Sequence, residues 1–196
     1  MIIPLVIFSF VFGSIPWGYI IGKTKGVDLR KLGSGNIGTT NVMRVLGKKE
    51  ALLTLTLDMF KGFLPVFLVK FTPYGENLYL VAATGLAAII GHCFTPFLKF
   101  KGGKGVATSI GVMLAFAPLI ALITIFIWIL TFKISKVSSL SALLSFSLIP
   151  LNLYMLSYPK EILHFSLVLL ILIYIKHIQN IKRLIRGEEL RFGAKR

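Results

Sequence analysis

Acidic side chains are scarce in this chain. Seven Asp and Glu stand against 22 Lys and Arg, leaving a formal charge of +15, and charged residues of both signs make up only 15% of the sequence. With 56% hydrophobic residues and a mean hydropathy of +0.84, the chain falls outside soluble globular composition and reads as a polytopic membrane protein. There is one cysteine, Cys93. That excludes an internal disulfide framework and a Cys-rich metal site, and Cys93 is read as a packed apolar residue. No basic groove laced with aromatics is present, so the positive charge does not indicate nucleic acid. The basic residues instead gather at the ends of apolar runs, where membrane topology alone would put them. The N-terminal MIIPLVIFSF has no basic n-region, and no small-residue cleavage site precedes Lys23 and Lys25. The first apolar run is therefore expected to stay in the mature protein.

What is present is a succession of apolar runs long enough to cross a bilayer. Ile2 to Gly22 is the first, with Ser14, Gly18 and Gly22 spaced four apart as a helix-packing ladder. Lys23, Lys25, Arg30 and Lys31 follow it, which places that end in the cytoplasm and the N-terminus outside. Ala51 to Phe71 returns outward and carries Asp58 and Lys61 on one helix face. They read first as a structural ion pair, with shaping of a substrate cleft as the alternative. Leu78 to about Leu98 is the third span; Ala87 and Gly91 are four apart, and His92 near its inner end reads as a packing residue, with substrate contact the alternative. Val106 to Phe132 is 27 residues, roughly 40 Å of helix and more than one crossing needs. Splitting it at Ala117-Pro118, and adding segments near 139–156 and 160–178, gives seven transmembrane helices, some short or broken. Lys133, Lys136 and the C-terminal group Lys176, Lys182, Arg183, Arg186, Arg191, Lys195 and Arg196 then face the cytoplasm. The expected fold is an all-α bundle of seven spans forming one domain over residues 1–196.

Three polar clusters interrupt the hydrocarbon. LGSGNIGTTNVMR, Leu32 to Arg44, offers Gly33, Gly35, Ser34, Asn36, Thr40 and Asn41 ahead of Arg44, an expected anion cradle of backbone amides, hydroxyls and one guanidinium fork. KFKGGKGVAT, Lys99 to Thr108, repeats the chemistry with Lys101, Gly102, Gly103, Lys104, Gly105 and Thr108. KHIQNIKRLIRGEELR, Lys176 to Arg191, brings His177 and Asn180, three apart and expected on one face of the last helix. Gly33, Gly35 and Gly38 match G-x-G-x-x-G but follow a membrane span rather than a strand, so a dinucleotide site is rejected. The lysine-glycine cluster fails the Walker pattern because Gly105, not Ser or Thr, follows Lys104. No HExxH or Cys/His spacing indicates zinc, and no G-x-S-x-G is present.

GSGNIGTTNVMR, GHCFTPFLKFKGGKGVAT and HIQNIKRLIRGEE each resemble a signature block of the PlsY family of bacterial membrane acyltransferases. The resemblance extends over essentially the whole chain and includes DMFKG in the second span. It implies transfer of a fatty acyl group from a long-chain acyl phosphate to the 1-hydroxyl of glycerol 3-phosphate, giving lysophosphatidic acid and phosphate. It also implies functional positions at Ser34, Arg44, the second-block glycines, Lys104, His177, Asn180 and Glu189. Asp58, Lys61, His92, Arg183 and Glu189 are expected in supporting roles. Thr39 stands where the family commonly has Ala, and Lys176 and Arg191 each exchange one basic residue for the other.

The residues fit that chemistry. Acyl phosphate is already activated, so neither an acyl-enzyme nor coenzyme A is required, and no cofactor or metal is expected. Two phosphorylated substrates must be held side by side with their charges neutralised. The His-x4-Asp pair of soluble-type glycerolipid acyltransferases is missing: Phe97, Leu169 and Lys182 stand five after His92, His164 and His177. His177 or the substrate's own phosphate is left to take the proton. A transporter or channel for organic phosphates is the alternative, weakened by the placement of all three clusters on one side and by the lack of an inverted repeat. The expected setting is the bacterial inner membrane, as a monomer, with the site facing the cytoplasm.

Overall fold

A computed structural model describes residues 3–193. Ile2, the expected start of the first span, and Lys195 and Arg196 lie outside the described residues. The described chain is helical and without strands. It divides into two compact units, up to Phe116 and from Ala117 onward.

The first unit contains α1 (Ile3–Gly13), α2 (Trp17–Thr24), α3 (Thr39–Val45), α4 (Lys48–Val69), α5 (Leu78–Cys93) and α6 (Val106–Phe116). The expected first span is not one continuous helix. Pro16 carries no amide hydrogen and biases Ile15 away from the α conformation, so the helix breaks between Gly13 and Trp17. Close packing then rests on glycine. A Cβ at Gly13 would collide with the Ala88 backbone, and one at Gly91 with the Phe10 carbonyl, so α1 and α5 meet backbone to backbone. Gly62 meets Thr108 and Gly111 meets Met59 in the same manner, which joins α4 to α6.

The second unit contains α7 (Pro118–Ser135), α8 (Ser138–Ser147), α9 (Ile149–Met155), α10 (Lys160–Lys176) and α11 (Ile178–Ile185). Pro118 opens α7, where its missing N–H costs nothing, and the chain breaks at Ala117 as its position suggested. Lys136, with φ 59°, turns the chain from α7 into α8. At His177 the last helix bends by 62° into α11.

Among the described residues five helical stretches are long and apolar enough to cross a membrane, and six when the bent pair α10–α11 is taken as one span. A count of seven would need α6. Its 11 residues reach about 16 Å, half of the hydrocarbon core. Large apolar side chains such as Phe67, Phe126 and Ile171 remain exposed, as an integral membrane protein requires of its lipid-facing surface.

Candidate active site

The first cluster is a loop wound around one side chain. Asn41 is 1% exposed, and its Oδ1 accepts from the Ser34 amide at 2.8 Å. Its Nδ2 lies within donating distance of the carbonyls of Leu29 (3.1 Å), Leu32 (3.0 Å) and Asn36 (2.7 Å). Two N–H bonds facing three acceptors are fully occupied by the loop. Asn41 therefore organises the loop instead of reaching outward, unlike the ligand-binding role its residue type suggested. Gly33, with φ 60°, is needed where it stands, since a Cβ there would strike Asn41 Oδ1.

Three amides of the glycine-rich backbone are used within the loop itself. The amides of Ser34 and Gly35 donate to Asn41 Oδ1 and the Leu32 carbonyl, and that of Gly38 donates to Asn36 Oδ1. Ser34, Thr40 and Arg44 are half-buried, and Thr40 and Arg44, four apart, share one face of α3. The loop entrance is fixed by Asp28, which caps the turn at Leu29–Lys31 and takes the Arg30 guanidinium through two bonds of 2.9 and 2.7 Å. That bond holds the Asp28 carboxyl well below the usual carboxylate range. Arg30 also lies 4.8 Å from the centre of the Tyr19 ring.

The second cluster folds back along the end of α5. Gly102 and Gly103 donate to the carbonyls of Cys93 and His92 at 3.2 and 3.0 Å. A Cβ at Gly102 would strike the His92 carbonyl, and one at Gly103 the imidazole itself. These glycines therefore serve close approach. Lys99 and Phe100, at φ 53° and 61°, make consecutive left-handed turns without glycine. Gly105, with φ 87°, starts α6 by accepting from the Ser109 amide at 2.8 Å. Lys104 is half-buried and Lys101 is exposed. Thr108 is wholly buried and packed on Gly62 of α4. Its place is the seam between two helices, so the ligand contact expected of it does not follow from its position.

Beneath this loop lie the charges of the second span. Lys61 Nζ is 2.8 Å from Asp58 Oδ1 and donates to the Ile15 carbonyl at 2.7 Å. His92 Nδ1 lies 3.7 Å from the same carboxylate oxygen. All three side chains are buried. The break between α1 and α2, the middle of α4, the end of α5 and the glycine loop are thereby tied to one ionic group.

The third cluster centres on Glu189. Oε1 accepts from Asn180 Nδ2 at 2.7 Å and Ser139 Oγ at 3.0 Å, and Oε2 accepts from Arg183 Nε at 2.7 Å. Burial pushes the Glu189 carboxyl up, but the hydrogen bonds of Arg183 and Asn180 outweigh it and hold the group below its ordinary value, ionised. His177 and Asn180 do not share one face of a continuous helix. His177 occupies the bend, ending α10 and preceding α11. Its Nδ1 lies 2.8 Å from the Ile173 carbonyl, an acceptor only, so Nδ1 carries a hydrogen and the ring is held by that bond. Both residues are buried. Ser139 was missed in the sequence, where it is one serine among several with no motif around it.

The family model described as glycerol-3-phosphate acyltransferase matches residues 3–187. A glycerol-3-phosphate acyltransferase of Aquifex aeolicus (strain VF5) is 43% identical over 188 residues, covering 96% of this chain and 97% of that protein. One from Sinorhizobium fredii (strain NBRC 101917 / NGR234) is 45% identical over 189 residues, covering 96% and 91%. Among solved structures, PlsY, an integral membrane glycerol 3-phosphate acyltransferase, matches in its glycerol 3-phosphate form with a TM-score of 0.93 at 42% identity, covering 98% of this chain and 96% of that one. Its lysophosphatidic acid form matches with a TM-score of 0.91 at 41% identity, covering 98% and 95%.

Proposed function

We infer that this chain, which belongs to the glycerol-3-phosphate acyltransferase family, is an enzyme that moves a fatty acyl group onto glycerol 3-phosphate. The observation that carries this reading is its full-length likeness to a structure solved with glycerol 3-phosphate and again with lysophosphatidic acid, the acceptor and product of one transfer. The donor is a long-chain acyl phosphate. The 1-hydroxyl oxygen of glycerol 3-phosphate attacks the acyl carbon, the bond from that carbon to the phosphate-bearing oxygen breaks, and the proton leaves with inorganic phosphate. The product is 1-acylglycerol 3-phosphate, and the step is the first acylation of phospholipid synthesis.

Because the anhydride is already activated, the protein's task is placement and charge neutralisation. Ser34, Arg44 and Lys104 hold phosphate through charged or hydroxyl contacts. His177 and Asn180 position substrate, with the transferring proton taken by phosphate. Glu189 fixes Asn180 and Arg183, while Asp58, Lys61 and His92 hold the loop that carries Lys104. Residues 1–196 act as one integral-membrane domain of seven helices, α6 being the short one. The N-terminus lies outside the inner membrane and the polar clusters face the cytoplasm. The protein works as a monomer, without cofactor or metal.

Purified protein in detergent, given palmitoyl phosphate and glycerol 3-phosphate, is expected to release phosphate and form lysophosphatidic acid in equal amounts. A transporter of organic phosphates would release none without a sealed compartment. Equal rates with acyl coenzyme A alone would reassign the donor, and loss of turnover in EDTA restored by magnesium would end the metal-free reading.

A further inference from the structure

The helix that carries Asn180 has a second face that the reaction leaves unused. At 100° per residue, Ile178, Ile181 and Ile185 fall within one narrow arc of α11. Ile185 is 82% exposed and Ile178 49% exposed. Lys182 and Arg186, both exposed, flank that arc on one side. Asn180 points away from it and is 3% exposed. From Lys176 to Arg191 there are five basic residues against two acidic ones, and one of the acids, Glu189, is already bound to Arg183 and Asn180. The other, Glu188, is exposed.

The direction of α11 completes the picture. Its axis bends by 62° from that of α10, and a helix bent so far from one that crosses a bilayer runs nearer to the plane of the surface than to its normal. A short helix lying there with isoleucines on one face and long basic side chains beside them has the form of an interfacial amphipathic helix, whose charge partner is an anionic headgroup layer. Lys182 and Arg186 can bury their stems beside the isoleucines while their charges reach that layer.

We propose that α11 docks on an anionic phospholipid surface, and that this docking sets the position of Asn180, making acyl transfer respond to the charge of the leaflet at this end of α10. The proposal rests on the acyltransferase reading given above. Asn180 and the lipid-facing isoleucines share one short helix of eight residues, so a shift of α11 at the surface moves the Asn180 amide and the Glu189 carboxylate bonded to it.

The test uses the full chain reconstituted in vesicles of phosphatidylcholine, with or without a fraction of phosphatidylglycerol. An environment-sensitive fluorophore on Ile185→Cys, in a Cys93→Ala background, reports insertion of α11. The expected results are a blue shift and a severalfold higher rate of lysophosphatidic acid formation when phosphatidylglycerol is present, both suppressed by high salt. Lys182→Gln/Arg186→Gln should weaken surface association by about 10- to 30-fold, keep the rate seen in phosphatidylcholine, and lose the response to phosphatidylglycerol. A fluorophore and a rate that ignore lipid charge, or a double variant that responds as the parent does, would overturn the proposal. Absence of acyl transfer in every lipid would instead sink the acyltransferase reading, while the fluorophore still decides whether α11 reads surface charge.

Discussion

The Gly103 amide donates to the His92 carbonyl at 3.0 Å, and the space a Cβ would need at Gly103 is filled by the imidazole of that same histidine. Gly103→Ala should either displace the buried His92 imidazole or lift the loop from it, and both disturb the adjacent Lys104. Overpacking of this kind costs about 1–3 kcal/mol, and a displacement near 1 Å at a positioning residue costs about 10²-fold in turnover. Gly26→Ala is the contrast. Nothing lies within 4 Å of its Cβ, although its φ is 72°, so it should lose about 1–2 kcal/mol of stability and keep its rate. Melting temperature and kcat for the two variants are the measurements, and equal kcat losses would refute the loop argument.

Lys61 and Asp58 form a buried pair at 2.8 Å. Breaking such a pair by removing one partner costs about 3–5 kcal/mol, because the remaining charge is left uncompensated. Lys61→Met should therefore unfold at much lower temperature than the parent in detergent. Lys61→Met/Asp58→Leu should regain most of the loss. If the double variant is no more stable than the single one, the pair does not act as a unit.

Lys104→Ala should weaken substrate binding by about 10- to 150-fold, the worth of one charged hydrogen bond in a partly desolvated site. Lys104→Arg should rescue it only in part, since the guanidinium fork needs different room. His177→Ala separates the two proton routes. A general base contributes about 10² to 10⁴ in rate, and its loss would remove the acidic limb of the pH profile with affinity unchanged. The expected outcome is a fall in both affinity and kcat with that limb retained, read from kinetics at a series of pH values.

Glu189 titrates below its ordinary value of 4.5. Its contribution to stability is thus complete above the ordinary value and is lost as pH falls through the lowered one. The segment it anchors ends at Phe192, whose amide donates to the Lys136 carbonyl at 2.9 Å. Protection of the Phe192 amide against hydrogen exchange should fall in acid more than that of its neighbours. Glu189→Gln should abolish that extra acid sensitivity, and an unchanged pH dependence in the variant would exclude Glu189 as its source.

Lys133 and Lys136, at the end of α7, are expected to face the cytoplasm. Single cysteines there, in a Cys93→Ala background, should resist membrane-impermeant thiol reagents in intact cells. Labelling from outside would reverse the proposed orientation of α7.

The three polar clusters, the break at Pro118 and the pairing of Asp58 with Lys61 were legible because each follows from local chemistry: glycine density, a missing amide hydrogen, and charge in hydrocarbon. The inward turn of Asn41 was not legible. Its amide could equally face a ligand or its own loop, and only the positions of the Leu29, Leu32 and Asn36 carbonyls decide. Ser139 lay beyond reach for a related reason, since its partner Glu189 is 50 residues away. The bend at His177 occurs without proline or glycine at that position, so helical spacing alone placed His177 and Asn180 on a continuous face that the chain does not have.

The bond from Lys61 to the Ile15 carbonyl bears on how the protein is made. The middle of helix α4 carries two charges, Asp58 and Lys61, that a lipid environment rejects when they stand alone. The carbonyl that receives the ammonium lies at the break before Pro16, where it also accepts from the Trp17 amide at 3.1 Å, and it is synthesised before the lysine emerges from the ribosome. Insertion of the second span can then proceed against a neighbour that already offers an acceptor, with His92 arriving later to join the same carboxylate. The break beside this proline thus sets a backbone acceptor where the later lysine needs one.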